Sequence, residues 1–145
     1  MYSSISEIET LVYAFEKHEL PKEKWTHAAH LTVGLWYVSN FSIDEAMDKV
    51  RVNIRSYNES VGGQNTSTSG YHETISRFYI LILNDYAKNT SSSLSVELFN
   101  NMLESELSAP SYPFHFYSKD YLMSENARAI FCEPDLKPLF EKEIV

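Results

Sequence analysis

Two histidines three positions apart, His27 and His30, are the residues whose type and spacing most directly suggest chemistry in this sequence. Side chains at that spacing lie on one face of a helix. The run that follows, residues 28–38, is apolar on nearly every side, which is typical of a helix enclosed by others. Because buried polar groups cost free energy unless something pairs with them, a histidine pair at the start of such a helix indicates a site.

A third histidine, His72, stands at the start of another predicted core helix, for which Ser69 or Gly70 is the expected cap. His27 and His72 would then each lie in the first turn of a helix. Helix N-termini carry partial positive charge, which disfavours protonated imidazole and keeps histidine free to bind a metal or accept a proton. If the two helix starts pack together, the three imidazoles converge in one cavity.

One interpretation of this histidine group is a metal site. His27, His30 and His72 would bind a single divalent ion, zinc or iron, and leave a coordination position open for catalysis, with Glu73 or His115 as a further ligand. The sequence contains no His-Glu-x-x-His, no Glu-x-x-His and no His-Asp dipeptide. His72 and Glu73 would also point about 100° apart on a helix, so only one of them easily reaches a shared metal.

A second interpretation is a metal-free pocket for a small molecule, in which one of the three histidines acts as acid or base. Arg55 would hold a carboxylate or phosphate of the ligand. The remaining candidate ligand-binding residues are aromatic or imidazole side chains: Trp25, Tyr71, His115 and Tyr117. In a third interpretation the histidines only connect helices, and the protein is a non-catalytic domain that binds a small molecule or another protein.

The elements that must position these residues are predicted from cap residues and helical spacing. Thr26 is the expected N-cap of the histidine helix, and Gly34 on the same stripe leaves space beside the imidazoles for a close helix or a ligand. Further helices are predicted after Ser4 or Ser6, from Ser42, at about 71–83, at about 93–107 and from Ser124, the first two because Glu follows at the capping-box position. The aromatic segment 111–118 contains Pro113 and is predicted to be irregular and to fold over the core as a lid or wall.

Composition sets the class of protein. The chain has 145 residues, of which 43% are hydrophobic, so the whole of 1–145 is predicted to be one all-α domain, a compact four- to five-helix bundle with an irregular aromatic C-terminal segment. A net charge of −8 disfavours nucleic acid or an anionic membrane as a partner. With no membrane-spanning or signal sequence and with Cys132 as the single cysteine, a cytoplasmic protein is expected. The oligomeric state is left open.

Three short motifs together resemble a family of small uncharacterised bacterial helical proteins. They are Trp-Thr-His-x-x-His-Leu at residues 25–31, Ile-Arg-x-Tyr-Asn at 54–58 and Gly-Tyr-His-Glu-Thr at 70–74. The resemblance runs through roughly residues 20–85 and extends to the aromatic segment and to Glu-Pro-Asp-Leu at 133–136. It implies a bacterial all-helical protein and the grouping of His27, His30 and His72, and it brings no established activity with it.

Overall fold

The computed structural model describes residues 1–90 and 93–140, and that part of the chain is all helical, with no β-strand. The predicted fold class is therefore confirmed. Five helices have nine or more residues and two are shorter: α1 (Ile5–Glu16), α2 (His27–Asn40), α3 (Ile43–Ser60), α4 (Glu73–Asn89), α5 (Val96–Glu104), α6 (Lys119–Leu122) and α7 (Glu125–Ala129). Single 3₁₀ turns at Lys22–Lys24, Glu106–Ser108 and Tyr112–His115 connect them.

Most helices begin where a side chain caps the first backbone N–H groups. Thr26 accepts the Ala29 N–H at the start of α2, and Ser42 forms a full capping box with Glu45 at the start of α3. Ser4, not Ser6, caps α1, and the remaining serine caps are Ser95 for α5 and Ser124 for α7. Helix starts are therefore encoded locally, in residues that the sequence displays.

The start of α4 differs from the sequence prediction. Neither Ser69 nor Gly70 caps this helix; His72 does, because its Nδ1 accepts the Ile75 N–H at 3.1 Å. His72 thus precedes the helix instead of lying in its first turn. Gly70 has a φ of +81° and belongs to the loop before the cap, where a left-handed backbone favours glycine.

Helix α4 is the centre of the fold and packs against α2 and α3. The contact with α2 is close at Gly34, where a Cβ atom would lie 2.9 Å from Cδ1 of Leu83. The main core is built from the inner faces of α1 to α5, with Phe15, Tyr57 and Phe99 among its fully buried side chains. Gly34 therefore sets the spacing between the two most buried helices.

The C-terminal part also packs on α4, in a second cluster that contains Phe78, Phe116, Tyr117 and Leu122. Tyr117 is fully buried, and its hydroxyl donates to the Cys132 carbonyl at 2.7 Å. The aromatic segment thus folds back onto the core, in line with the sequence prediction. Throughout residues 1–90 and 93–140, no helix combines the length and hydrophobicity that crossing a bilayer requires.

Candidate ligand-binding site

A partly open cavity of about 400 Å³ lies between α2, α3, α4 and the C-terminal segment. Helix α2 and the turn before it contribute Trp25, His27, His30, Leu31, Val33 and Gly34 to its walls. The other walls are formed by Val50 and Ile54 of α3, by Ile75, Ser76, Tyr79, Ile80 and Leu83 of α4, and by Pro110, Pro113, Phe114 and Leu122. The histidine pair therefore opens onto a mostly apolar space, with Gly34 beside it as predicted.

His30 is held in one orientation by two contacts. Its ring stacks on Trp25, with centroids 3.8 Å apart, and the other face of Trp25 stacks on Phe15 at 4.2 Å. Its Nδ1 lies 2.8 Å from the carbonyl oxygen of Thr26, which can only accept a hydrogen bond, so Nδ1 carries the proton. The other nitrogen, Nε2, is then an acceptor and has no partner among the described residues.

His30 is neutral at ordinary pH. Desolvation by the surrounding protein lowers its pKa to about 4, against the opposing effect of the bond to Thr26 and with a small contribution from nearby His27. The side chain nevertheless keeps a large accessible surface. Both observations hold together because His30 lines the cavity: its accessible surface faces a space with apolar walls, where the charged form is poorly solvated.

Three polar atoms of residues in the cavity walls are buried and have no hydrogen-bond partner in the described part of the chain: Nε1 of Trp25, Nε2 of His27 and the hydroxyl of Tyr79. His27 meets the edge of the Tyr79 ring, with centroids 5.9 Å apart. Burial lowers the pKa of His27, partly offset by the backbone of Ser108, and it raises the pKa of Tyr79 to about 12. These groups are therefore uncharged, and the three atoms named above have no hydrogen bond among the described residues.

The sequence prediction did not single out Tyr79 as a residue of this cavity. Tyr79 was placed among the core residues of α4, although it falls at helical spacing with Ile75 and Leu83, which also line the cavity. A hydroxyl within an otherwise apolar run was the available signal. Phe114 is 39% exposed and lines the cavity together with Pro113, both in the aromatic segment that was predicted to form a lid or wall.

His72 lies outside the cavity, so the expected convergence of three imidazoles is not found. The side chain is 7% exposed, and both ring nitrogens are engaged with the backbone. Nε2 donates to the Leu122 carbonyl at 2.8 Å, while Nδ1 accepts the Ile75 N–H. The pKa of His72 is lowered by burial in the first place, opposed by the bond to Leu122. His72 is a structural connection between α4 and α6.

Four other candidate ligand-binding residues are also placed away from the cavity. Arg55 is exposed and lies over the Tyr71 ring, 5.0 Å from its centroid. Tyr71 donates to Glu73 at 2.7 Å. Tyr117 bonds Cys132, and His115 is exposed against Tyr112. These interactions are internal to the protein, so Trp25 is the predicted ligand-binding side chain that reaches the cavity.

The metal interpretation is not supported by the geometry. Within the described ranges, no three His, Cys, Asp or Glu side chains are grouped as metal ligands. Two of the expected ligands are already engaged. Both ring nitrogens of His72 bond the backbone, and Glu73 accepts hydrogen bonds from Nε and Nη2 of Arg51, at 2.9 and 2.7 Å. Together with the bond from Tyr71, the bonds from Arg51 keep the pKa of Glu73 below its usual range. His27 and His30 are left as a pair without a third ligand.

Comparisons with protein-family models, with curated proteins and with solved structures find no match for this chain. The resemblance to small bacterial helical proteins therefore stays a prediction from the motifs. The cavity and its chemistry are the basis for a functional conclusion.

Proposed function

We propose that this protein binds a small, largely apolar molecule in the cavity beside His30. The observation that carries the proposal is the set of three buried polar atoms without partners, on Trp25, His27 and Tyr79, in the walls of one apolar cavity. Buried polar groups in native proteins are almost always hydrogen-bonded, and each unpaired one costs about 1–3 kcal/mol. These three atoms have almost no accessible surface, so a ligand with polar atoms would recover part of that cost after small movements of the side chains.

The size and lining of the cavity fit this proposal. Ligand pockets range over about 300–1,000 Å³ and combine apolar walls with a few placed polar groups. The cavity has about 400 Å³ and four such groups, on Trp25, His27, His30 and Tyr79. A concave site of this kind favours a small molecule over a protein partner, which would need a broad accessible surface.

Binding is better supported than acid–base catalysis. A general base works best when its pKa lies near the working pH, and the pKa of His30 is about 4. Arg55, the expected anchor for an acidic substrate, lies outside the cavity. His30 is therefore better suited to recognise a ligand through a hydrogen bond than to remove a proton from it.

The proposal is tested by filling the cavity. Ile54 lines it from α3, whereas Ile43, on the same helix and also half-buried, does not. We expect 2-naphthol and 1-octanol to raise the thermal unfolding midpoint of the wild type and of Ile43→Phe, but not of Ile54→Phe, because the added ring occupies the ligand volume. Equal shifts in all three proteins, or none in the wild type, would overturn the proposal.

A further inference from the structure

The uncharged lining of the cavity restricts the class of ligand that it can bind. None of the described residues that line the cavity is Asp, Glu, Lys or Arg. An ion transferred into apolar surroundings without a partner of opposite charge loses far more solvation than it recovers. A carboxylate or ammonium group is therefore disfavoured inside, and this inference rests on the proposed function.

The hydrogen-bond donors and acceptors of the cavity wall restrict the class of ligand further. His30 donates from Nδ1 to Thr26, which leaves Nε2 as an acceptor only, so its ligand atom must carry a hydrogen. The indole Nε1 of Trp25 is a donor only and has almost no accessible surface, so a ligand atom can accept from it only after the side chain moves. The Tyr79 hydroxyl can either donate or accept a hydrogen bond.

These requirements are met together by one neutral group. We propose that the natural ligand is an uncharged molecule with an apolar body and an alcohol or phenol hydroxyl, which donates to Nε2 of His30. A hydrocarbon would leave the wall atoms unpaired, a carboxylate would face the His30 lone pair, and an ammonium would find no counter-ion. The Phe15–Trp25–His30 stack holds the acceptor in place before the ligand arrives.

The test uses two sets of probes that differ in one group. The aromatic set is naphthalene, 2-naphthol, 2-naphthoate and 2-naphthylmethylammonium, and the aliphatic set is octane, 1-octanol, octanoate and octylammonium. Affinity for the full-length protein is measured at pH 7 by tryptophan fluorescence and by calorimetry. In at least one set we expect the hydroxyl probe to bind about tenfold more tightly than each of the other three, which is the value of one well-placed hydrogen bond.

Two substitutions locate the preference at His30. His30→Phe keeps a ring on Trp25 but removes the acceptor, so the preference for 2-naphthol over naphthalene should disappear. His30→Gln supplies an amide oxygen and should restore part of it. Hydroxyl probes that bind no better than their hydrocarbons, or charged probes that bind equally well, would overturn this inference and leave the proposed function standing. Binding of no probe from either set would overturn the proposed function itself.

Discussion

His30 contributes to stability as well as to the cavity wall. Its bond to the Thr26 carbonyl and its stacking on Trp25 are each worth about 0.5–1.5 kcal/mol. We therefore expect His30→Ala to lower the free energy of unfolding by about 1–2 kcal/mol, measured by urea denaturation.

The same measurement with a chelator addresses the metal interpretation directly. EDTA should leave the stability of the wild type unchanged, because His27 and His30 have no third ligand among the described residues. A chelator effect on the wild type as large as that of His30→Ala would contradict the geometry of the site.

His72 should matter more than His30, although it does not reach the cavity. His72→Ala removes the cap of α4, worth about 1 kcal/mol, and leaves the Leu122 carbonyl unpaired. We expect a loss of roughly 2–3 kcal/mol in urea denaturation.

Two further substitutions give this measurement its controls. His72→Asn should recover part of the loss, because asparagine can cap the helix but is too short to reach Leu122. His115→Ala, at an exposed histidine, should stay within about 0.5 kcal/mol of the wild type. Equal losses for His72→Ala and His115→Ala would show that the His72 bonds contribute nothing.

At the scale of the elements, the α2–α4 contact depends on Gly34. An added methyl group meets the flexible end of Leu83 at 2.9 Å, while alanine gains up to about 1 kcal/mol in helix propensity. We expect Gly34→Ala to be nearly neutral and Gly34→Val, which crowds Leu83 and Ile80, to cost about 1–3 kcal/mol. Equal stability of the two variants in urea would mean that the helices separate freely.

The helices were predictable where their signals are local. Ser42 with Glu45 and Thr26 before His27 define helix starts within four residues of sequence, and the structure has both. The cap of α4 was predicted wrongly because histidine is not a usual N-cap residue, and its role depends on Leu122, fifty positions away. A one-dimensional pattern does not contain that contact.

The residues of the site were likewise predictable only where they lie close together in the sequence. Trp25, His27, His30 and Gly34 lie within one helix and its entry, so helical spacing places them together. Pro110 and Phe114 reach the cavity only through tertiary packing. The error at Tyr71 has a similar cause: its partner Glu73, and the Arg51 that Glu73 binds, belong to the junction of α3 and α4. Sequence identifies polar residues but does not show which of them are already paired.

At the scale of the whole molecule, the three histidines with lowered pKa values predict how stability varies with pH. His27, His30 and His72 all have pKa values lowered below the ordinary 6.5, and that of His30 is about 4. At pH values between 6.5 and the lowered pKa values, the unfolded chain binds more protons than the folded one. The free energy of unfolding therefore rises with pH over that range. We expect the urea midpoint to fall steadily from pH 7 to pH 5.

The origin of this slope can be checked. Glu73, whose pKa is lowered from 4.5, adds its effect only below that range, so the interval from pH 7 to 5 reports the histidines. His30→Phe and His72→Asn each remove one titrating group and should flatten the dependence. A midpoint that is constant over this interval in the wild type would contradict the lowered pKa values of these imidazoles.

The residues that form the four walls of the cavity are synthesised at different times. Trp25, His27 and His30 leave the ribosome with α2 long before Pro113, Phe114 and Leu122 exist to face them. Until then the cavity lacks the wall that Pro113, Phe114 and Leu122 provide, and the bond from His72 to Leu122 cannot form. A protein truncated before residue 110 would therefore present this side of α2 and α4 to solvent.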